Sequence, residues 1–116
     1  IAQRAKLIEL ILRDVYGSQQ LLQEGLLPSE LLYATEAYLG SMQGTVPANQ
    51  PVLSLYAAQL CRDSKGHWYV MADRTQGPSG GGYSVENRIA VSRILPEEFR
   101  DLHVQRSAPF FVSLRD

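Results

Sequence analysis

The residues best suited to chemistry lie in one segment, where a predicted strand leads into a glycine-rich loop and then into a predicted helix. The loop, residues 76–83, contains four of the nine glycines of the chain. Glycines allow backbone N–H groups to approach an anion, and the N-terminus of a helix adds a favourable electrostatic potential. Arg74 before the loop and Arg88 after it can add positive charge. The arrangement is typical of an anion-binding or nucleotide-binding site.

Familiar motifs do not define this site further. The spacing of Gly77–Ser84 is that of a phosphate-binding P-loop, but Tyr83 stands where that motif requires lysine. The glycines do not match the dinucleotide-binding fingerprint either. Cys61, His67 and His103 lack the spacing of zinc ligands.

The segment Ala72–Arg88 resembles a signature of the circularly permuted ATP-grasp proteins of type 2, relatives of carboxylate–amine ligases such as glutathionylspermidine synthase. The resemblance extends to 5–17, 25–31 and 95–100, and it is weakest over 35–51. It implies that the chain is a fragment of a larger bacterial protein and forms part of an ATP-grasp-like domain. Such ligases use ATP and magnesium to phosphorylate a carboxylate, which an amine then attacks to form an amide. The permuted type resembles proteins of peptide synthesis or modification, some of them joined to a helical partner domain.

The end of the predicted strand departs from the pattern of the members that resemble active enzymes. Those members carry Glu-Asp-Asn there, and the Glu and the Asn bind magnesium. This chain has Ala72, Asp73 and Arg74, and Gln76 replaces a later arginine. Two ligands two residues apart project from the same face of a strand, where both can reach one ion. The resemblance therefore implies a degenerate member with no metal site and no catalytic residue in this chain, and with ATP and magnesium acting only in the intact protein.

The candidate site residues follow from the loop and from the resemblance. Asp73 and Pro78 are expected to preserve the shape of the loop. Alternatively, Tyr83, Asn87 and Arg88 only order the helix start: Asn87 can bond the loop backbone, and Arg88 can pair with Asp73 or Glu86. The glycine run can also be a flexible connection. The candidates for binding a nucleotide or anion are Arg74, Ser79, Gly80, Gly81, Gly82, Tyr83, Asn87 and Arg88.

Helices are predicted on both sides of the strands. Apolar residues at helical spacing predict the first helix, and Ser18 and Ser84 are expected to cap two later helices. Residues 35–51 carry glycines, prolines and mixed polarity, so we expect an irregular connection. The predicted helices are 5–16, 19–24, 28–32, 84–94 and short helices beginning at Pro96 and Pro109.

The clearest strand signal is a hairpin. Residues 52–62 and 67–74 flank 63–66, where Asp at the first position and Gly at the fourth favour a type I turn. Both faces of the two strands are apolar, so we expect the hairpin, Trp68 and Cys61 included, to be buried on both sides. The predicted fold is α+β, a small sheet with a central antiparallel hairpin flanked by helices.

Composition limits the class of protein. The 116 residues suit a single domain, and a formal net charge of −1 argues against a nucleic-acid partner. No apolar run reaches the length of a membrane span, so no membrane partner is expected. Cys61 is the single cysteine, which fits a cytoplasmic location. The expected partner is the remainder of the same protein, with a helical partner domain as a further candidate.

Three functions remain open from the sequence. The chain can belong to a degenerate ATP-grasp protein that serves as a scaffold or regulatory partner. It can belong to a working ligase whose metal ligands lie elsewhere, or it can be a structural unit with no site of its own.

Overall fold

The computed structural model describes residues 1–115, which form two compact units that divide after Thr75. The described residues form helices together with one antiparallel pair of strands, which confirms the α+β expectation. The first unit contains α1 (Ala2–Val15), α2 (Gln20–Gln23), α3 (Ser29–Tyr33), a 3-10 turn (Gly40–Met42), β1 (Ala57–Arg62) and β2 (Trp68–Arg74). The second contains α4 (Gly81–Ile94), α5 (Pro96–Asp101) and α6 (Ala108–Arg115).

Helix α1 provides the small core of the first unit. Val15 on its apolar stripe is only 4% exposed, and Ile8, Ile11 and Leu12 on the same stripe are half-buried. Among these apolar residues lies one carboxylate, Glu9, which is 9% exposed. A buried charge of this kind must find hydrogen-bonding partners, and those partners decide how the following chain is held.

The start of α2 is capped by a residue other than the predicted one. Asp14, in the last turn of α1, accepts the backbone N–H groups of Gln20 and Leu21 at 2.8 and 2.9 Å. Ser18 does not cap the helix, because its hydroxyl donates to the Asp14 carboxylate at 3.1 Å. Burial raises the pKa of Asp14, but these hydrogen bonds outweigh it and lower the pKa below its usual value. A carboxylate is the stronger acceptor for free N–H groups at a helix start, so the prediction for Ser18 was wrong.

The connection to the hairpin is irregular, as predicted, apart from the short 3-10 turn. Strand β1 begins at Ala57 and not at residue 52. Glu9 accepts the N–H groups of Val52 and Leu53, so these two residues are not available to the sheet. Residues 54–56 have no strand partner in this unit, because β2 ends at Arg74, opposite Ala57. Arg13 adds to this attachment by donating to the carbonyls of Pro47 and Gln50.

The hairpin itself is confirmed, but its predicted burial is wrong. Strands β1 and β2 pair around a turn in which Asp63 accepts backbone N–H groups, and a bulge interrupts the register next to Gln59 and Leu60. Trp68 is 64% exposed and Met71 is 68% exposed, and Cys61 is exposed as well. Apolar alternation shows which side chains are suited to burial, but burial also needs a covering layer. Within the described residues of this unit, the sheet has two strands only.

The second unit begins with α4, which starts earlier than predicted. Gly80 takes a left-handed conformation with φ +109° just before the helix, and Gly81 and Gly82 already belong to the helix. Ser84 therefore lies in the first turn, where its hydroxyl donates to the carbonyl of Gly81. It does not cap the helix as expected. Gly81 also packs closely, since an added Cβ would lie 3.5 Å from the Phe111 ring. Of the run of glycines, Gly81 and Gly82 thus belong to the helix, and Gly80 directly precedes it.

None of the helices formed by residues 1–115 combines the length and the apolar character needed to cross a bilayer.

Candidate functional site

The end of β2 presents its last side chains to opposite faces of the hairpin. Ala72 pairs with Gln59 and Arg74 pairs with Ala57, whereas Asp73 between them pairs with Ala58. Arg74 is exposed, and its Nη2 and Nε lie 2.9 and 3.3 Å from the Gln59 amide oxygen when the amide is oriented to accept. Ala72, Arg74 and Gln59 therefore share one face.

Asp73 lies on the other face, where it forms a compact cluster with Arg4 and Tyr56. The Arg4 guanidinium reaches both carboxylate oxygens, with Nε 3.0 Å from Oδ1 and Nη2 2.5 Å from Oδ2. The Tyr56 hydroxyl donates to Oδ1 at 2.5 Å. The bonds from Arg4, and then the bond from Tyr56, lower the pKa of Asp73 to about 2. The Asp73 carboxylate in turn raises the pKa of both Arg4 and Tyr56.

The strand end does not supply the ligands that magnesium prefers. Magnesium binds oxygen ligands in a near-octahedral arrangement. Ala72 offers a methyl group, Arg74 offers a cation, and the oxygens of Asp73 already accept three hydrogen bonds on the opposite face. Over residues 1–115, moreover, there is no group of three or more His, Cys, Asp or Glu side chains arranged to hold a metal ion. The chemistry of this donor set does not fit the magnesium ion that the resemblance implies.

The glycine-rich loop leads into the start of α4. The first N–H groups of a helix have no acceptor within it, and here they belong to Gly81, Gly82 and Tyr83. The Tyr83 side chain is 78% exposed, Ser79 and Asn87 are exposed, and Pro78 is half-buried. This part of the predicted site therefore presents polar side chains to solvent, next to helix-start N–H groups that have no acceptor within the helix.

Arg88 has local partners that the sequence did not indicate. Its Nη1 donates to the carbonyls of Val104 and Gln105 at 3.1 and 2.5 Å, and its guanidinium lies 4.8 Å from the centre of the Phe99 ring. Arg88 thus holds the chain after α5 against α4. The suggested pairing with Glu86 was wrong, because two backbone carbonyls and an aromatic face satisfy the cation. The suggested pairing with Asp73 would join the two units and stays a prediction.

A sequence comparison identifies the family. The family model for circularly permuted ATP-grasp type 2 proteins matches residues 1–116. The chain belongs to the circularly permuted ATP-grasp type 2 family. The resemblance first noted in the segment Ala72–Arg88 is thereby confirmed.

The relatives that this chain matches are longer proteins that are themselves uncharacterized. One from Mycobacterium tuberculosis is 36% identical over 115 residues, covering 99% of this chain and 13% of the relative. One from Mycobacterium leprae is 34% identical over 99 residues, or 85% of this chain and 18% of the relative. One from Synechocystis is 29% identical over 105 residues, or 90% of this chain and 22% of the relative. The chain spans less than a quarter of each of these relatives.

In this ATP-grasp chain, two of the side chains that hold Asp73 were not predicted from the sequence. Arg4 and Tyr56 bind Asp73 from positions 69 and 17 residues away, and no local pattern indicates such pairings. An available signal was the pair Glu9 and Arg13, because an acidic and a basic residue four apart on a helix face each other. Of the predicted site residues, Arg74 belongs to the first unit and Ser79–Arg88 belong to the second.

Proposed function

We propose that this chain is part of an ATP-grasp-like protein that has lost ligase chemistry and acts as a scaffold or regulatory component in peptide synthesis or modification. The observation that carries the proposal is the composition of the β2 end, where Ala72 and Arg74 share a face. Magnesium would have to bind beside a guanidinium, with no carboxylate on that face of the strand end. Peptide synthesis or modification is suggested by the family resemblance alone.

In this proposal Arg74 binds a phosphate group directly. Its contact with Gln59 uses Nε and Nη2 and so fixes the plane of the guanidinium. The Nη1 side of the group can then donate to a phosphate oxygen, and a planar guanidinium is well suited to phosphate. Nucleotide would accordingly bind without a metal ion. The helix start at Gly80–Tyr83 remains a separate candidate for anion binding.

Thermal unfolding of the complete protein tests this function. ATP in the presence of EDTA should raise the unfolding temperature, and added magnesium should bring no further increase. Arg74→Ala should markedly reduce the shift, and Arg93→Ala, which changes an exposed arginine at the end of α4, should leave it intact. A shift that requires magnesium would indicate a working ligase site. No shift under any condition would reject nucleotide binding and leave the scaffold role alone.

The proposed partner is the remainder of the same protein, together with a helical partner domain. Support comes from the small share of each relative that this chain covers, 13% for the M. tuberculosis protein. Large apolar side chains in both units are suited to such contacts: Trp68 is 64% exposed, and Leu102 is 76% exposed. A cytoplasmic location is also part of the proposal, and the single cysteine supports it.

A further inference from the structure

Three separate elements meet at the Asp73 carboxylate. Arg4 comes from the first turn of α1, Tyr56 directly precedes β1, and Asp73 is the next-to-last residue of β2. The Arg4 contact is bidentate, a geometry that fixes the orientation of both groups. The Asp73 side chain is 23% exposed and that of Arg4 is 50% exposed, so the cluster lies at the surface.

The cluster controls a part of β2 that would otherwise be weakly held. The bulge beside Gln59 and Leu60 interrupts the ladder, and only three residue pairs follow it before β2 ends. The last of these pairs joins Arg74 to Ala57, the first residue of β1. Bulges bend and twist a strand, and strand ends open easily. Asp73, the neighbour of Arg74, is hydrogen-bonded to Arg4 of α1 and to Tyr56, and these bonds oppose that opening.

We propose that Asp73 is a positioning residue for Arg74, and that Arg4 and Tyr56 act on the site through it. Because neighbouring side chains in a strand point to opposite faces, tying Asp73 to the α1 side directs Arg74 to the other face. The guanidinium is then held beside Gln59, ready to bind phosphate without first being ordered. This inference rests on the proposed function of Arg74.

Loosening the cluster should weaken phosphate binding without removing a binding group. Tyr56→Phe deletes one hydroxyl, and Arg4→Lys keeps the charge but cannot form the bidentate pair. Each should reduce affinity by about tenfold, because the unbound site must then be ordered on binding. Arg74→Ala should reduce affinity by more. Tyr33→Phe is a matched control for the loss of a hydroxyl, since Tyr33 is an exposed tyrosine elsewhere in the same unit.

The experiment is calorimetric titration of the complete protein with inorganic pyrophosphate in EDTA. The decisive comparison is a double-mutant cycle between Tyr56→Phe and Arg74→Ala. If Tyr56 acts through Arg74, the double variant should bind no more weakly than Arg74→Ala alone. A general structural effect would instead lower affinity equally in both backgrounds. Arg4→Lys provides the same test if Tyr56→Phe fails to fold.

The possible results separate this inference from the function on which it rests. Weakened binding in Arg74→Ala with full affinity in Tyr56→Phe and Arg4→Lys would overturn the positioning role and leave the proposed function standing. Additive losses in the cycle would also overturn it. Unchanged binding in Arg74→Ala would reject both. Weakened binding in the single variants with no additional loss in the double variant would support both.

Discussion

Replacing Glu9 by glutamine is expected to release the chain at Val52 and Leu53 from helix α1. Glu9 is almost fully buried, and its carboxylate accepts three hydrogen bonds. Oε1 lies 3.1 Å from the Val52 nitrogen and 2.7 Å from Arg13 Nε, and Oε2 lies 2.6 Å from the Leu53 nitrogen. Each donor approaches a charged acceptor, so these bonds are stronger than those between neutral groups.

The size of the effect follows from these contacts. A hydrogen bond to a charged group contributes about 1.5–3 kcal/mol, and an unsatisfied buried donor costs about 1–3 kcal/mol. Glutamine keeps one oxygen acceptor but turns an NH₂ group toward a donor. One bond is therefore lost and one donor is left without a partner, for a net loss of about 2–4 kcal/mol once relaxation is included. That corresponds to roughly a 30-fold to 1,000-fold change in the local opening equilibrium.

Hydrogen exchange followed by mass spectrometry measures this opening directly. The peptide containing Val52 and Leu53 should exchange faster by the stated factor in Glu9→Gln, because exchange requires local opening. Glu36→Gln is the control, since Glu36 is an exposed carboxylate in the same unit. An increase of less than about threefold, well below one hydrogen bond to a charged group, would refute the role assigned to Glu9.

The same contact predicts a pH dependence. Burial raises the pKa of Glu9, but the hydrogen bonds from Leu53, Val52 and Arg13 outweigh burial and lower the pKa below 4.5. The unfolded chain therefore binds a proton at higher pH than the folded chain does. The stabilisation is complete above pH 4.5 and is lost as the pH falls through the lower folded value. Protection at residues 52–53 should decrease on acidification in the unmodified protein, and much less in Glu9→Gln.

Further predictions concern the second unit and the strand end. Gly80→Ala should destabilise the protein by about 1–2 kcal/mol in thermal unfolding, because φ is +109° there; Gly82→Ala should instead stabilise it by about 0.5–1 kcal/mol, since Gly82 is helical with open space around it. Arg88→Lys should cost about 1 kcal/mol by loss of one carbonyl bond, measured as faster hydrogen exchange in the loop after α5, and unchanged exchange would contradict that role. Ala72→Glu combined with Arg74→Asn should make any nucleotide-induced thermal shift depend on magnesium; a shift that stays metal-independent would count against the reasoning from the ligand set.

The fold was largely predictable where a regular pattern determines local structure. The apolar stripe of α1, the two alternating segments and the proline-initiated helices all lie near their predicted places. Two of the wrong expectations, the start of β1 and the cap of α2, have a cause in common: a side chain takes backbone N–H groups that the pattern assigns elsewhere. Glu9 takes those of Val52 and Leu53 and keeps both residues out of β1, and Asp14 takes those that Ser18 was expected to cap. Which side chain accepts a given backbone N–H group depends on distances in the folded chain. A local sequence pattern does not determine those distances.

The candidate site was predictable where strand alternation determines it, and unpredictable where the partners are distant in sequence or are backbone groups. Strand alternation alone places Ala72 and Arg74 on one face and Asp73 on the other, and the observed register agrees. The partners Arg4 and Tyr56 were not predictable, because each is separated from Asp73 by an intervening element. The partners of Arg88 were missed because backbone carbonyls carry no residue identity that a sequence pattern can reveal.

The charge distribution at the β2 end connects these observations to function. The one carboxylate there, Asp73, is paired with Arg4 and is held on the face toward α1. The opposite face carries the positive charge of Arg74, and its nearest partner, the Gln59 amide, is neutral. A divalent cation approaching that face meets repulsion without a compensating carboxylate, whereas a phosphate meets attraction and a planar donor group. If Asp73 is instead freed from Arg4, its carboxylate can partly neutralise Arg74. The ion pair between Arg4 and Asp73 therefore has two effects in this inference. It fixes the direction of Arg74, and it neutralises the negative charge next to the anion.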